Sequence, residues 1–214
     1  MIVAIDGPSG SGKGTIAKKL GKLCGLTYID TGATYRALAL EVLEKKIDLS
    51  SISDIIDMAS KLDVKFTSDG LTILNGKDVS NLIRTTEISA AASIVSAIPE
   101  VRKYMVDLQK NMAASDDVVM EGRDITTVVF PNADYKFYLD ASVDVRALRR
   151  HKQNLEAGME SDLEKIKEAI IKRDYNDTHK EVGSLMRTED QIYIDSSNMS
   201  IDEVIEYIRK VIGR

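Results

Sequence analysis

Residues 2–15 read IVAIDGPSGSGKGT. Ile2, Val3, Ala4 and Ile5 form an apolar run that predicts a buried strand, bounded by Asp6 and Gly7. Four residues separate Gly7 from Gly12 and Lys13 follows at once, the spacing of a loop that cradles phosphate. A triphosphate has to be met by several backbone N–H groups together, and side chains would obstruct that approach. Gly7, Gly10, Gly12 and Gly14 leave the main chain bare, with Pro8, Ser9 and Ser11 between them. After the loop, Ile16, Ala17, Leu20 and Leu23 recur at helical spacing, so a helix N-terminus faces the phosphates. Lys13 supplies a mobile positive charge to the β- and γ-phosphates, and Gly7 through Thr15 is the expected triphosphate site. Such loops usually place Ser or Thr directly after the lysine, where the hydroxyl meets Mg²⁺. Here Gly14 stands there and Thr15 comes next, so Thr15 is the expected ligand of the ion, largely through water.

The chain has 214 residues, 43% hydrophobic and 29% charged, ordinary for one core or a core with an insertion. A net charge of −5 gives no overall footprint for nucleic acid, so the basic residues act locally. Cys24 is the only cysteine, which excludes an internal disulfide; its place after the loop predicts a small buried side chain. No apolar run approaches the length of a membrane span, and Met1 leads straight into the first strand. Neither a span nor a signal peptide is therefore expected, and the expected setting is the cytoplasm.

Residues 26–30 (LTYID) predict a second strand, followed by a helix with Ala33, Ala37, Leu40 and Leu43 inward and Thr31 as its N-cap. Arg36, in the first turns, is either a fork onto a second phosphate or a solvated surface residue. An amphipathic helix is predicted over residues 48–62. Then the period changes. Val64, Phe66, Leu71 and Ile73 alternate across Asp69-Gly70, and Asn75-Gly76 is a second hairpin signal, so a small antiparallel insertion is expected. A helix of small residues follows Arg84-Thr85, and Pro99 opens another that runs to Met112. Val118–Met120 is the third strand of the core and leads into Glu121-Gly122-Arg123-Asp124, either a ligand site or a capped turn. Residues 136–140 and 191–195 are further strands, and residues 142–156, 163–175 and 201–212 are helices. This alternation predicts an α/β fold, a parallel five-stranded sheet covered on both faces, with ligands at the carboxyl ends of the strands. His151 and His179, distant in sequence and without a cysteine nearby, are read as surface residues.

No guanine-reading N-K-x-D sequence is present. Arg36, Arg84, Arg102, Arg123, Arg149, Arg150 and Arg173 fall mostly at element ends. Phosphoryl transfer between nucleotides needs such a set, because developing charge must be neutralised without a nucleophilic side chain. It also needs a closing segment, because water would otherwise take the phosphoryl group. The break at Gly158, between Arg149 and Lys172-Arg173, is the expected lid.

The segments IDGPSGSGKGT, YIDTGATYR, DVS with IRT, EGRDITTVVFPNA and KFYLDAS follow in that order over essentially the whole chain. In them the chain resembles bacterial cytidylate kinase, of the nucleoside monophosphate kinases, for which DTGATYR and GRDITTVVFP are specific markers. The resemblance implies a P-loop NTPase-type fold in a single kinase domain. Its core would be residues 1–30 and 115–214, its monophosphate-binding insert residues 31–114 with a small antiparallel sheet, and its lid residues 151–166. It implies phosphorylation of CMP and dCMP with ATP and Mg²⁺, with weak use of UMP. By position, Thr31 would stand near the CMP phosphate, gripped by Arg36 and Arg123. Ser93, Arg102 and Asp124 would face the cytosine, and Arg173 and Asp177 would lie near the sugar. Lys13, Arg36, Arg123 and Arg173 would be the catalytic set, and Lys180 would belong to the acceptor site. Asn176 and Lys180 stand where the family often has arginine, so Lys180 keeps charge without a planar fork. Glu121 stands where aspartate is more usual. With no sustained heptad seam, a monomer is expected. Two other readings are a kinase for a different small acceptor, which would need a general base, and a slow nucleotide-gated interaction module.

Overall fold

A computed structural model describes residues 1–67, 70–114 and 117–214. Of the expected Asp69-Gly70 turn, Asp69 lies outside the described residues. Five parallel strands form the main sheet: β1 (Ile2–Asp6), β2 (Thr27–Asp30), β6 (Val118–Gly122), β7 (Tyr135–Asp140) and β8 (Ile192–Asp195), in the order β2-β6-β1-β7-β8. β1 is central, with β6 on one side and β7 on the other, so the order in which the parallel strands are laid down reverses there and a crevice opens beyond its end. The unbroken apolar run of β1 is what a strand covered on both faces requires. Val3 and Ile5 pack with Ile16 and Leu20 of α1 (Lys13–Cys24) and Ile208 of α8 (Ile201–Ile212). Ala4 packs on the other face with Val118, Met120 and Ile125.

A separate apolar cluster joins α2 (Thr31–Glu44), α3 (Ile52–Ser60), α4 (Thr86–Val95) and α5 (Pro99–Met112) through Leu38, Ile55, Ile83, Val95 and Met105. The antiparallel sheet β3 (Val64–Phe66), β4 (Thr72–Leu74), β5 (Lys77–Asp78) adds Val64 and Leu74 to that cluster. Asn75 and Gly76 have φ of +49° and +79°, the backbone a two-residue hairpin turn demands. The remaining pair, α6 (Val143–Glu156) and α7 (Leu163–Thr178), breaks at residues 157–162.

Several local expectations are corrected. Asp30, not Thr31, caps α2: its carboxylate accepts the Ala33 N–H at 2.9 Å. Thr31 is the first helical residue, and its hydroxyl donates instead to the Glu121 carbonyl at 2.7 Å. Leu23 is 60% exposed and Cys24 half-buried, because the last turn of α1 runs past the sheet. After β6 comes a five-residue π-turn, Ile125–Val129, which no local pattern announces. It is pinned from a distance: the buried Asp6 carboxylate accepts the N–H groups of Ile125 and Thr126 and the Thr126 hydroxyl, at 2.6–2.9 Å.

Candidate active site

Strand register brings the carboxylates together. Asp6 lies beside Gly122 and Asp30 beside Glu121, all at the carboxyl edge of the sheet. From β1 the loop turns through Gly10 (φ +80°) and Gly12 (φ +97°), and Gly12 caps α1. The Lys13 ammonium folds back to the Pro8 carbonyl at 2.8 Å and the Ser11 hydroxyl at 3.4 Å. Lys13 is 4% exposed. Burial and the Arg123 charge push its pKa down to about 7. Thr15 is exposed on the cleft side of α1, among the residues that line the loop's cleft.

The outer side of the loop is held by α6. Arg146 donates to the Ser9 carbonyl at 2.9 Å and the Ala141 carbonyl at 2.8 Å, and pairs with Asp174 of α7 at 2.7 Å. Arg149 donates to the Ser11 carbonyl at 3.1 Å and the Ser196 carbonyl at 2.7 Å. Arg149, expected on a lid flank, is thus fastened to the phosphate loop. Arg146→Met is expected to destabilise the fold by about 3 kcal/mol, because Asp174 and two buried carbonyls lose their donor. The urea midpoint measures it.

Gly14 has a spatial reason. A Cβ there would stand 3.2 Å from the Glu121 carboxylate and 3.4 Å from the Tyr28 hydroxyl. The side chain missing from position 14 leaves room for that carboxylate beside the loop. Burial and the neighbouring Asp30 charge raise the Glu121 pKa. The neighbouring Asp30 and Glu121 carboxylates are the hard oxygen donors that suit Mg²⁺. Among the described residues, no three His, Cys, Asp or Glu side chains converge on one metal position. His151 contacts the Ser161 hydroxyl at 2.8 Å, and His179 stacks on Tyr175 with ring centroids 4.0 Å apart.

A second, narrower cavity of about 100 Å³ opens beside the first. Thr31, Arg36, Ser93, Arg102, Arg123, Asp124, Arg173, Asp177 and Lys180, the expected acceptor residues, all line it. Its cations are engaged by carboxylates. Arg36 pairs with Asp30 at 2.7 Å and Arg123 with Asp177 at 2.8 Å. Lys180 and Arg173 reach the same Asp177 at 3.2 and 3.9 Å. Burial works against ionisation of Asp177, yet Arg123 and Lys180 hold its carboxyl down at about 2. Deeper in, Arg102 pairs with Asp124, donates to the Ser96 carbonyl at 3.3 Å and lies 5.7 Å from the Tyr35 ring centroid. The Nε atoms of Arg36 and Arg102 are buried and lack a hydrogen-bond partner among the described residues, so both guanidinium groups keep donors in reserve. Ser93 lines the wall half-buried.

Asp30, Arg36, Glu121 and Arg123 line both the loop cleft, of about 830 Å³, and the narrower cavity. Two anionic ligands would meet at those four side chains. Sequence reading missed four contributors: Asp30, Ser96, Gly183 and Arg146. Asp30 opens the DTGATYR stretch and Arg146 lies in the predicted helix over 142–156, but neither the contacts of these two nor those of Ser96 and Gly183 carry a local signal.

A family model described as "Cytidylate kinase" matches residues 3–214. A cytidylate kinase of Streptococcus pneumoniae (strain Hungary19A-6) is 42% identical over 211 residues, covering 97% of this chain and 95% of that protein. The cytidylate kinase of strain 70585 is 41% identical with the same coverage. Among solved structures, an uncharacterized protein from Eubacterium ventriosum ATCC 27560 superposes with a TM-score of 0.54 at 14% identity, covering 100% of this chain and 98% of that one. That likeness extends to the fold alone, whereas the sequence match spans the loop and both cavities alike: the chain belongs to the cytidylate kinase family.

Proposed function

We propose that this enzyme transfers the γ-phosphoryl group of ATP to a phosphate oxygen of CMP, with dCMP a second acceptor and UMP a weak one. The observation that carries the reading is the junction of the two cavities at Asp30, Arg36, Glu121 and Arg123. The loop N–H groups and Lys13 bind the β- and γ-phosphates. Arg36 and Arg123 exchange their carboxylate partners for the acceptor phosphate, which is already ionised and needs no general base. Arg173 adds charge at the same point. Mg²⁺, held by Thr15, Glu121 and water, would neutralise charge on the transferring group.

Asp124 accepts from the cytosine amino group while Arg102 donates to its ring acceptors. Uracil would turn an acceptor toward Asp124, an unfavourable pairing worth about 1–3 kcal/mol. Ser93 borders the base, Thr31 the phosphate, and Arg173 and Asp177 the sugar side, with Lys180 beside Asp177. Residues 31–114 form the monophosphate-binding insert on a core of residues 1–30 and 115–214. Their own apolar cluster supports that division. Residues 151–166, around the break between α6 and α7, form the lid. The enzyme works as a cytoplasmic monomer. No helix among the described residues is long and apolar enough to cross a membrane.

Steady-state turnover with CMP, dCMP, UMP, AMP and GMP tests the assignment; AMP or GMP ahead of CMP overturns the base reading. Asp124→Ala is expected to lower kcat/KM for CMP about 10–100-fold more than for UMP. Equal losses on both would contradict the cytosine contact.

A further inference from the structure

We propose that Gly183 sets the aim of the Arg102–Asp124 pair and is a specificity-determining position of the acceptor cavity. The inference rests on the reading of that pair as the reader of the base. Gly183 lines the cavity with φ +66°. A Cβ built on it would stand 1.9 Å from Arg102 Nη2, 2.4 Å from Arg102 Cζ and 2.6 Å from Asp124 Oδ2. The space of one methyl group is therefore already filled by the ion pair itself.

Neither partner can yield without cost. Arg102 is 5% exposed, tied through Nη1 to the Ser96 carbonyl and through Nη2 to Asp124, with the Tyr35 ring beside it. Swinging the guanidinium away from position 183 breaks those bonds and turns the donors from the base. The backbone segment cannot retreat either, because it is fastened at both ends. Lys180 is anchored on Asp177 and the Ser96 hydroxyl, and the Leu185 N–H donates to the Asp177 carbonyl at 2.7 Å. Leu185 is itself buried. Gly183 is thus a positioning residue: its bare backbone closes the cavity wall against the pair and fixes the direction in which the two side chains point.

The test compares Gly183→Ala with Gly213→Ala. Gly213 has φ +73° and, among the described residues, no atom within 4 Å of an added Cβ, so it reports backbone strain alone. Gly183→Ala is expected to reduce the CMP:UMP ratio of kcat/KM by about tenfold, mainly through the KM for CMP, with the KM for ATP within about twofold of the parent. Gly213→Ala should leave the ratio unchanged. In an Arg102→Lys background, where the colliding guanidinium is gone, the added methyl should change the ratio by less than about threefold. A Gly183→Ala protein with the parent ratio overturns the proposal, as does an undiminished effect in the Arg102→Lys background. If Gly183→Ala fails to fold, recovery of its thermal midpoint by Arg102→Lys supports the collision, and persistent unfolding refutes it. Asp124→Ala separates the two levels. If it leaves the CMP:UMP ratio intact, the base reading itself falls; if it collapses the ratio while Gly183→Ala does not, only the role of Gly183 falls.

Discussion

Replacing Lys13 by methionine is expected to lower kcat by about a thousandfold while leaving the fold intact. Methionine fills the volume of the lysine stem, and among the described residues the ammonium's hydrogen-bond partners are the Pro8 carbonyl and the Ser11 hydroxyl. Removing a buried cation with weak partners relieves desolvation, so the urea midpoint should hold or rise. On the proposed role of Lys13, what disappears is charge aimed at the transferring phosphoryl group. A proton linkage goes with it. Burial and Arg123 push the free Lys13 down to about 7, below the ordinary lysine value. Triphosphate oxygens favour the charged form, so binding raises that pKa. Above pH 7 the free chain has lost the proton and the loaded chain retains it. ATP binding therefore takes up about one proton near pH 8, and affinity falls as pH rises above 7. For folding, the unfolded chain binds more protons than the folded one between about pH 7 and pH 10, so Lys13 makes stability rise across that window. Calorimetry with ATP in two buffers of different ionisation enthalpy reads the uptake. Proton uptake that survives Lys13→Met would assign it to another group.

The phosphate loop was legible because three independent requirements coincide in residues 2–15: an apolar run, bare glycines and a helical period. Pro99–Met112 and Ile201–Ile212 lie where the sequence signals placed them, each opened by a local device, a proline at the first turn or the Ser200 cap. The sheet and the small antiparallel insert followed from period and turn signals in the same way. Other features lay beyond local signals. The π-turn at Ile125–Val129 exists because Asp6 claims two of its N–H groups from a distant strand. Thr31 was a reasonable cap by type, but Asp30 stands one residue earlier and accepts more strongly. The helix of Arg146 and Arg149 was visible, but not that both reach back to loop carbonyls. Gly183 has an ordinary neighbourhood in sequence; only packing shows that a methyl there would meet Arg102. Local chemistry announces elements and motifs, whereas contacts between distant segments decide what each side chain faces.

Arg123 is where the two cavities touch, so its loss should be at least as severe as that of Lys13. Arg123→Met is expected to lower kcat with CMP by about a thousandfold or more, the range that arginines acting on a transferring phosphoryl group supply. Arg123→Lys, charged but without the planar fork, should fall between, losing about a hundredfold. The ATP-site KM should move little, because the loop is built by Gly7–Thr15 and supported by Arg146 and Arg149. Stability should suffer only modestly. Asp177 loses its 2.8 Å partner but keeps Lys180 at 3.2 Å and Arg173 at 3.9 Å. A pH titration of unfolding supplies the check. Asp177 is held at about 2, below its unfolded value near 4, so its stabilisation is present above pH 4 and lost as pH falls through 2. Without Arg123 the folded pKa moves upward, toward the unfolded value. Arg123→Met should therefore unfold in acid at a higher pH than the parent, while at neutral pH the two differ by about 1–2 kcal/mol. An intact kcat in a variant with that acid shift would remove Arg123 from the transfer step and leave it as the counter-ion of Asp177.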